Sequence, residues 1–255
     1  MEMEGATVRQ NPFHIIDNIY YVGTKFVGSH LFTSESGHIL IDAGMPSDGP
    51  HILSNIEKLG FDCNDIKYLV ITHGHIDHLG SADYIAKQVN ATVCIGEEDV
   101  SAAEHRALMR FDHFGNKTNE DVSAEINKNK QTFGLAPLPI KVDQRLQEGD
   151  EIQLGPISLK VYHTPGHTEG TCSISFRAKD KGKEYQGMIS GGIGVNVFSE
   201  EILNMNIGGA NIKDYISSIK RLRSIKVDLW LEGHPFFNQA LDKMERLEKA
   251  TDKPK

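Results

Sequence analysis

Apolar and polar positions along the chain follow two rhythms, one of period two and one near 3.6. Short β-rich runs predict strands at 15–22, 29–33 and 38–42, the last two joined by a turn at Glu35-Ser36-Gly37. Between 48 and 59, Ile52, Leu53, Ile56 and Leu59 recur with helical spacing, and Gly60 supplies a stop. Within 67–72 the run Tyr68-Leu69-Val70-Ile71 is continuous and apolar, the pattern of a strand covered on both faces. A helix at 81–89, a strand at 92–95 and a helix at 99–109 follow. From 111 to 138 the chain turns polar. Its middle, 116–132, has too few apolar residues for a core element and reads as a long surface excursion with room for one short helix. Strands resume at 151–154 and 157–162, joined at Gly155-Pro156. Two more, 171–176 and 185–190, are joined through Lys179-Asp180-Lys181-Gly182. Ile212, Tyr215, Ile216, Ile219 and Leu222 share one face of a helix over 212–222. A strand at 228–231, a charged helix at 238–249 and a frayed tail at 251–255 complete the pattern. Two stretches, 11–145 and 146–250, repeat a layout of strands followed by helix. The expectation is an α/β chain, one domain over 1–255, with two packed sheets and helices outside.

Composition narrows the function classes. The chain has 255 residues, 39% hydrophobic and 24% charged, as folded proteins do. Its 27 basic and 35 acidic residues leave a net charge of −8, the wrong sign for a nucleic-acid or anionic-membrane surface. The apolar runs are far shorter than the ~20 residues that span a bilayer. The N-terminus, Met1-Glu2-Met3-Glu4, is acidic where an export signal is basic, so a cytoplasmic location is expected as written. A periplasmic one is expected if an export signal was replaced by the start Met. Cys63, Cys94 and Cys172 form no C-x-x-C pair and read as buried reduced thiols.

Twelve histidines change the picture. Four potential metal ligands fall within Thr72-His73-Gly74-His75-Ile76-Asp77-His78, directly after the buried run. In an extended segment, 73, 75 and 77 share one side, so His73 and His75 can aim at one point. Asp77 and His78, where the chain turns into a helix, can reach a second. Imidazoles plus one carboxylate, without thiolate, suit zinc, and less tightly iron or manganese. Two further loops, Thr164-Pro165-Gly166-His167 and Glu232-Gly233-His234-Pro235, each place one histidine after a predicted strand.

Together these motifs resemble the metallo-β-lactamase superfamily of binuclear zinc hydrolases. Ile39-Leu40-Ile41-Asp42-Ala43-Gly44 is similar to that family's early strand and turn, and the resemblance runs from 11 to about 237. It implies an αββα sandwich, two mixed β-sheets face to face with helices outside and the metals at one edge. Most such hydrolases, glyoxalase-II-type thioesterases and acyl-homoserine lactonases included, bridge the metals with an Asp after a late strand. Here that stretch reads Met188-Ile189-Ser190-Gly191-Gly192-Ile193-Gly194-Val195-Asn196, without Asp, Glu or Cys. With His rather than Arg at 78, the pattern resembles the third subclass of metallo-β-lactamases.

That resemblance implies two Zn²⁺ per chain, one on His73, His75 and His167, the other on Asp77, His78 and His234. It implies a metal-bound hydroxide attacking the amide of β-lactam antibiotics, with Asp77 orienting it, and hence antibiotic resistance. Asp42 is either a brace for the ligand loops or a simple turn cap. Several members carry a Ser near the place of Gly192, where this chain offers only the backbone amides of Gly191-Gly192, so Gly192 and, in place of that Ser, Ser190 or Asn196 are the candidate substrate contacts. Without a bridging carboxylate the bound metals, their Asp and a hydroxide sum to about +2, favouring a small-molecule substrate that carries a carboxylate. The alternative is an intracellular metallo-hydrolase of another ester, lactone or thioester with weak or no β-lactamase activity. The absent signal and Gly192 favour it, while the six-ligand pattern favours the lactamase. A non-catalytic metal-binding role and a nuclease fit less well. The remaining histidines (His14, His30, His38, His51, His105, His113 and His163) read as structural or solvent-facing. Phe111 to Phe114 forms either a wall over the site or a plain surface loop.

Overall fold

The computed structural model describes residues 8–104, 139–200, 203 and 209–251. Seven strands form the first sheet in chain order: β1 (Phe13–Ile16), β2 (Ile19–Tyr21), β3 (His30–Ser34), β4 (Gly37–Ile41), β5 (Ile66–Ile71), β6 (Thr92–Gly96) and β7 (Gln144–Leu146). Pairing is antiparallel up to β4 and parallel from β4 to β7. The second sheet has the order β12-β11-β10-β9-β8, built from β8 (Glu151–Leu154), β9 (Ile157–His163), β10 (Cys172–Asp180), β11 (Lys183–Ser190) and β12 (Leu229–Glu232). Only β11 and β12 pair in parallel there. Among the described residues the helices are α1 (Gly49–Lys58), α2 (Ile76–Leu79), α3 (Ala82–Val89), α4 (Val100–Glu104), α5 (Ile212–Ser224) and α6 (Ala240–Thr251).

The period-two pattern explains the layers. Ile39, Ile41 and Val70 point from β4 and β5 into a cluster with Leu159, Val161, Ile174, Phe176 and Ile189 of the second sheet. The alternate residues, Leu40, Leu69 and Ile71, pack on the other face against Ile52 and Ile56 of α1 and Ile85 and Val89 of α3. β5 is therefore covered on both sides, as its unbroken apolar run predicts. The first sheet draws on residues 13–146 and the second on 151–232.

Four expectations change. The stretch 15–22 is two strands: Asp17 turns the chain at φ +52°, and Asn18 Nδ2 donates to Thr33 O on the neighbouring β3 at 2.6 Å. The edge strand β7 carries one apolar residue in three and gave no period to read. α2 is a four-residue helix between the ligand loop and α3. β10 and β11 extend to a two-residue turn at Lys181-Gly182, both at positive φ. The second half of the helix read at 99–109, Phe111 to Phe114, the excursion at 116–132, His105, His113, the N-terminal Met1 to Ala6 and the tail beyond Thr251 lie outside the described residues. Among the described residues no helix is long and apolar enough to cross a membrane.

Candidate metal centre

The three histidine loops leave β5, β9 and β12 at one edge of the sandwich, and a backbone bond from Cys172 N–H to Thr72 O (2.8 Å) ties the first two together. Asp42 begins the arrangement. It leaves β4 at φ +61°, a conformation Asp tolerates better than most side chains. Its Oδ1 accepts from Thr72 N–H at 2.8 Å, and both its oxygens lie within 3.0 Å of the Thr72 hydroxyl. Its Oδ2 accepts from His78 Nδ1 at 2.8 Å. Asp42 is thus a brace for the Thr72–His78 ligand loop rather than a local turn cap.

His73, His75 and His167 gather their donor atoms within 4.8 Å of one another. The Thr72 hydroxyl gives its proton to Asp42, so His73 Nδ1–H donates to Thr72 Oγ1 (3.1 Å). His73 Nε2 is left as a lone pair, buried and without a hydrogen-bond partner. His167 Nδ1–H donates to the Gly194 carbonyl at 3.0 Å, and its Nε2 faces His75 Nδ1 at 3.1 Å. Gly166, at φ +125°, makes this loop possible: a Cβ there would stand 2.1 Å from the Tyr215 backbone nitrogen in α5.

Asp77, His78 and His234 form a second triad within the same 4.8 Å limit. His234 Nδ1–H donates to Phe26 O at 2.9 Å, and Gly28 N–H donates to Gly233 O at 2.8 Å, so the 23–28 loop holds this ligand. His78 Nε2 and His234 Nε2 then face each other at 3.4 Å, and Asp77 Oδ2 lies 3.4 Å from His234 Nε2. The His73 and His78 rings, 4.1 Å apart between centroids, join the triads.

Both triads suit a divalent cation. Acceptors fix Nδ1–H on His73, His78, His167 and His234, leaving four Nε2 lone pairs beside a carboxylate. An orphaned buried lone pair and two facing lone pairs are costly unless a cation lies between them. Burial, then the neighbouring imidazoles, push His73 well below the usual histidine range and His167 down to about 3. Burial lowers His234 too. Burial alone would raise Asp77, but the imidazoles of His78, His234 and His75 outweigh it and hold the carboxyl down at about 2. At neutral pH the His73, His167 and His234 rings are neutral and Asp77 is ionised, the protonation state a metal requires.

The candidate substrate contacts divide. Gly192 is half-buried beside His167, where a Cβ would meet the ring at 2.5 Å. Asn196 is exposed in the turn Val195–Phe198. Ser190 is buried, and its hydroxyl is hydrogen-bonded to Glu232, which also accepts from the Trp230 indole. Burial raises the Glu232 carboxyl to about 7. His30 and His38 are buried, while His163 ends β9 with its ring on Glu169 O. The three cysteines are buried and unpaired.

Sequence reasoning missed two features. Asp99, in the turn after β6, reads as an ordinary helix-start acid, yet it is 2% exposed and bonded to both first-triad loops. Phe26, Phe236 and Phe237 ring the second triad, with centroids 5.1 to 5.7 Å from that of His234. The adjacent Phe236-Phe237 pair directly after His234-Pro235 was the available signal.

Residues 22–180 match the family model described as the metallo-beta-lactamase superfamily. A Gallus gallus protein named acyl-coenzyme A thioesterase MBLAC2 is 28% identical over 172 residues, 65% of this chain and 55% of its own length. The chain thus spans little more than half of that relative. The hydroxyacylglutathione hydrolase GloC of Haemophilus influenzae is 27% identical over 65% of this chain and 68% of its own. Among solved structures, native FEZ-1 metallo-beta-lactamase from Legionella gormanii superposes with TM-score 0.80 at 33% identity, covering 97% of this chain and 88% of that one. BJP-1, a subclass B3 metallo-beta-lactamase of Bradyrhizobium japonicum, gives 0.73 at 30% identity over 92% and 81%.

Proposed function

The chain belongs to the metallo-β-lactamase superfamily, and on that premise we propose that it is a zinc-dependent hydrolase that opens the amide of β-lactam antibiotics. The donor set carries the reading: five imidazoles and Asp77 in two triads, with Gly191-Gly192 rather than a carboxylate at the end of β11 beside His167. One ion would be held by His73, His75 and His167, the other by Asp77, His78 and His234. Bound there, zinc supplies Lewis acidity, acidifying a coordinated water toward neutrality and polarising the substrate carbonyl.

The chain's own groups do the positioning. Asp77, ionised and partly exposed, orients the attacking water by accepting its hydrogen. Asp42 and Phe26 O fix the rings of His78 and His234 through their Nδ1–H groups. Water adds to the amide carbon, the C–N bond breaks, and the released nitrogen takes up a proton. A carboxylate on the substrate would meet the Gly192 backbone and the Asn196 amide. Ser190, committed to Glu232, fixes the start of that loop.

A second reading, hydrolysis of a thioester, ester or lactone, is favoured by the names of the two relatives above, a thioesterase and a hydroxyacylglutathione hydrolase. One experiment separates them. Zinc-loaded protein is assayed with a chromogenic cephalosporin, an acyl thioester and an acyl-homoserine lactone, each with and without chelator. Chelator-sensitive cephalosporin turnover is expected. Its absence from a sample that cleaves the thioester or lactone well would overturn the lactamase reading.

A further inference from the structure

Asp99 holds a position that the proposed chemistry does not use. It lies at the end of the turn Glu97–Asp99, after β6. Its Oδ2 accepts from Gly74 N–H at 2.6 Å and from the Thr168 hydroxyl at 2.6 Å, and its Oδ1 accepts from Gly170 N–H at 3.0 Å. Gly74 sits between His73 and His75, and Thr168 follows His167. One carboxylate therefore grips both loops that supply the first triad, on three donors, at 2% exposure.

The surroundings leave it little freedom. A Cβ on Gly170 would stand 2.6 Å from the Asp99 carboxyl carbon, one on Gly74 3.2 Å, and one on Gly96 2.0 Å from Gly170 O. Three glycines thus let three backbones close around this side chain. Thr168 is held from behind, since its own oxygen lies 2.7 Å from the Thr171 hydroxyl, whose oxygen accepts from Thr168 N–H. The rings of the second triad are set by other groups, Asp42 and Phe26 O.

We infer that Asp99 is a positioning residue for the first metal, clamping the His73–His75 loop to the His167 loop so that the three donor atoms converge. The inference rests on the metal-site reading above. Asn at 99 has one acceptor oxygen and turns an N–H₂ toward a donor that the carboxylate accepted from, so it cannot satisfy all three. Removing a group that orients metal ligands typically lowers metal affinity about 10- to 100-fold.

The test isolates each triad. In a His234→Ala background the first triad is the one left intact, and in a His167→Ala background the second. Metal-free proteins are titrated with Co²⁺, followed by its visible absorption, with circular dichroism recording the fold. Asp99→Asn is expected to weaken Co²⁺ at least about 10-fold in the first background and to leave the second within about 2-fold. Equal weakening in both backgrounds, or none in the first, would overturn the inference. If the His234→Ala protein binds no Co²⁺ at all, the metal-site reading itself fails. Should Asp99→Asn not fold, Thr168→Val removes one of the three donors and should weaken the first site, while Thr168→Ser keeps the hydroxyl and should restore it. Val and Ser variants of equal affinity would overturn the clamp.

Discussion

Asp42 and His78, thirty-six residues apart, meet at 2.8 Å between Oδ2 and Nδ1, with both side chains only 2% exposed. The contact fixes the tautomer of His78, because Nδ1–H donates to the carboxylate while Nε2 faces His234. Asp42→Asn can turn its amide oxygen to His78 only by presenting N–H₂ to Thr72, itself a donor. The variant should weaken the second metal about 10- to 100-fold and the first less. Competition against a coloured chelator, reading two sequential equivalents of Zn²⁺, checks it. Equal affinities with the parent protein would show that the His78 ring is held by packing alone.

A glycine carries the next prediction. A Cβ at Gly233 would stand 2.6 Å from His78 Cε1. Gly233→Ala must therefore push the His78 ring or the His234 loop outward, and the loop is tied at Gly28 N–H and Phe26 O. The expected outcome is loss of the second equivalent of zinc with the first retained, and a lower melting temperature as overpacking costs about 1–3 kcal/mol. Metal analysis after dialysis gives the answer, with two equivalents retained counting against it.

These two sites show what the sequence made legible. The buried run 68–71 followed by His73-Gly74-His75-Ile76-Asp77-His78 announced a strand and its ligand loop, because period and ligand spacing are local properties. The pairing of His167 with His75 and of His234 with His78 came from the family resemblance, since no local pattern joins positions 92 and 156 residues apart. Asp99 was invisible for a related reason. An acid at the start of a helix looks the same whether it caps that helix or reaches two distant loops. β7 escaped because an edge strand of three residues needs little apolar surface. Gly192 was read as a missing serine, whereas in the structure its lack of a Cβ makes room for the His167 ring.

Asp48 gives a stability prediction with a definite sign. Burial raises its carboxyl from 3.8 to about 6, against the lowering effect of the Met45 N–H that it accepts at 2.9 Å. The folded state therefore binds the proton more tightly than the unfolded state does. The associated stability is fully present below pH 3.8, is lost as pH rises from about 4 to about 6, and stays lost above. A gap of about two pH units corresponds to roughly 3 kcal/mol. Asp48→Asn keeps the acceptor without the titration. Urea unfolding of the metal-free proteins at pH 4 and pH 7 should show the variant gaining on its parent by up to that amount at the higher pH. A constant difference would mean that Asp48 titrates normally in the fold.

The aromatic rim beside His234 concerns the substrate. Phe236 and Phe237 are 53% and 44% exposed, their ring centroids are 4.6 Å apart, and Phe26 joins them from the loop that holds His234. Phe237 also approaches Gly194, whose carbonyl holds His167, so the rim runs from the second triad toward the loop that serves the first. Apolar rings left half in water at a reactive edge favour a substrate with a bulky apolar or aromatic side group, which would cover them on binding. Covering about 40 Å² of apolar surface on one ring contributes about 1 kcal/mol, or roughly 5-fold in affinity. Phe237→Ala should therefore raise KM about 5-fold for a cephalosporin with an aromatic side group and barely change it for one with a small side group. kcat should stay near the parent value, because the rings touch none of the bonds that change. A fall in kcat with KM unchanged would instead make Phe237 a support for the His234 loop. Equal effects on both substrates would remove the rim from substrate selection.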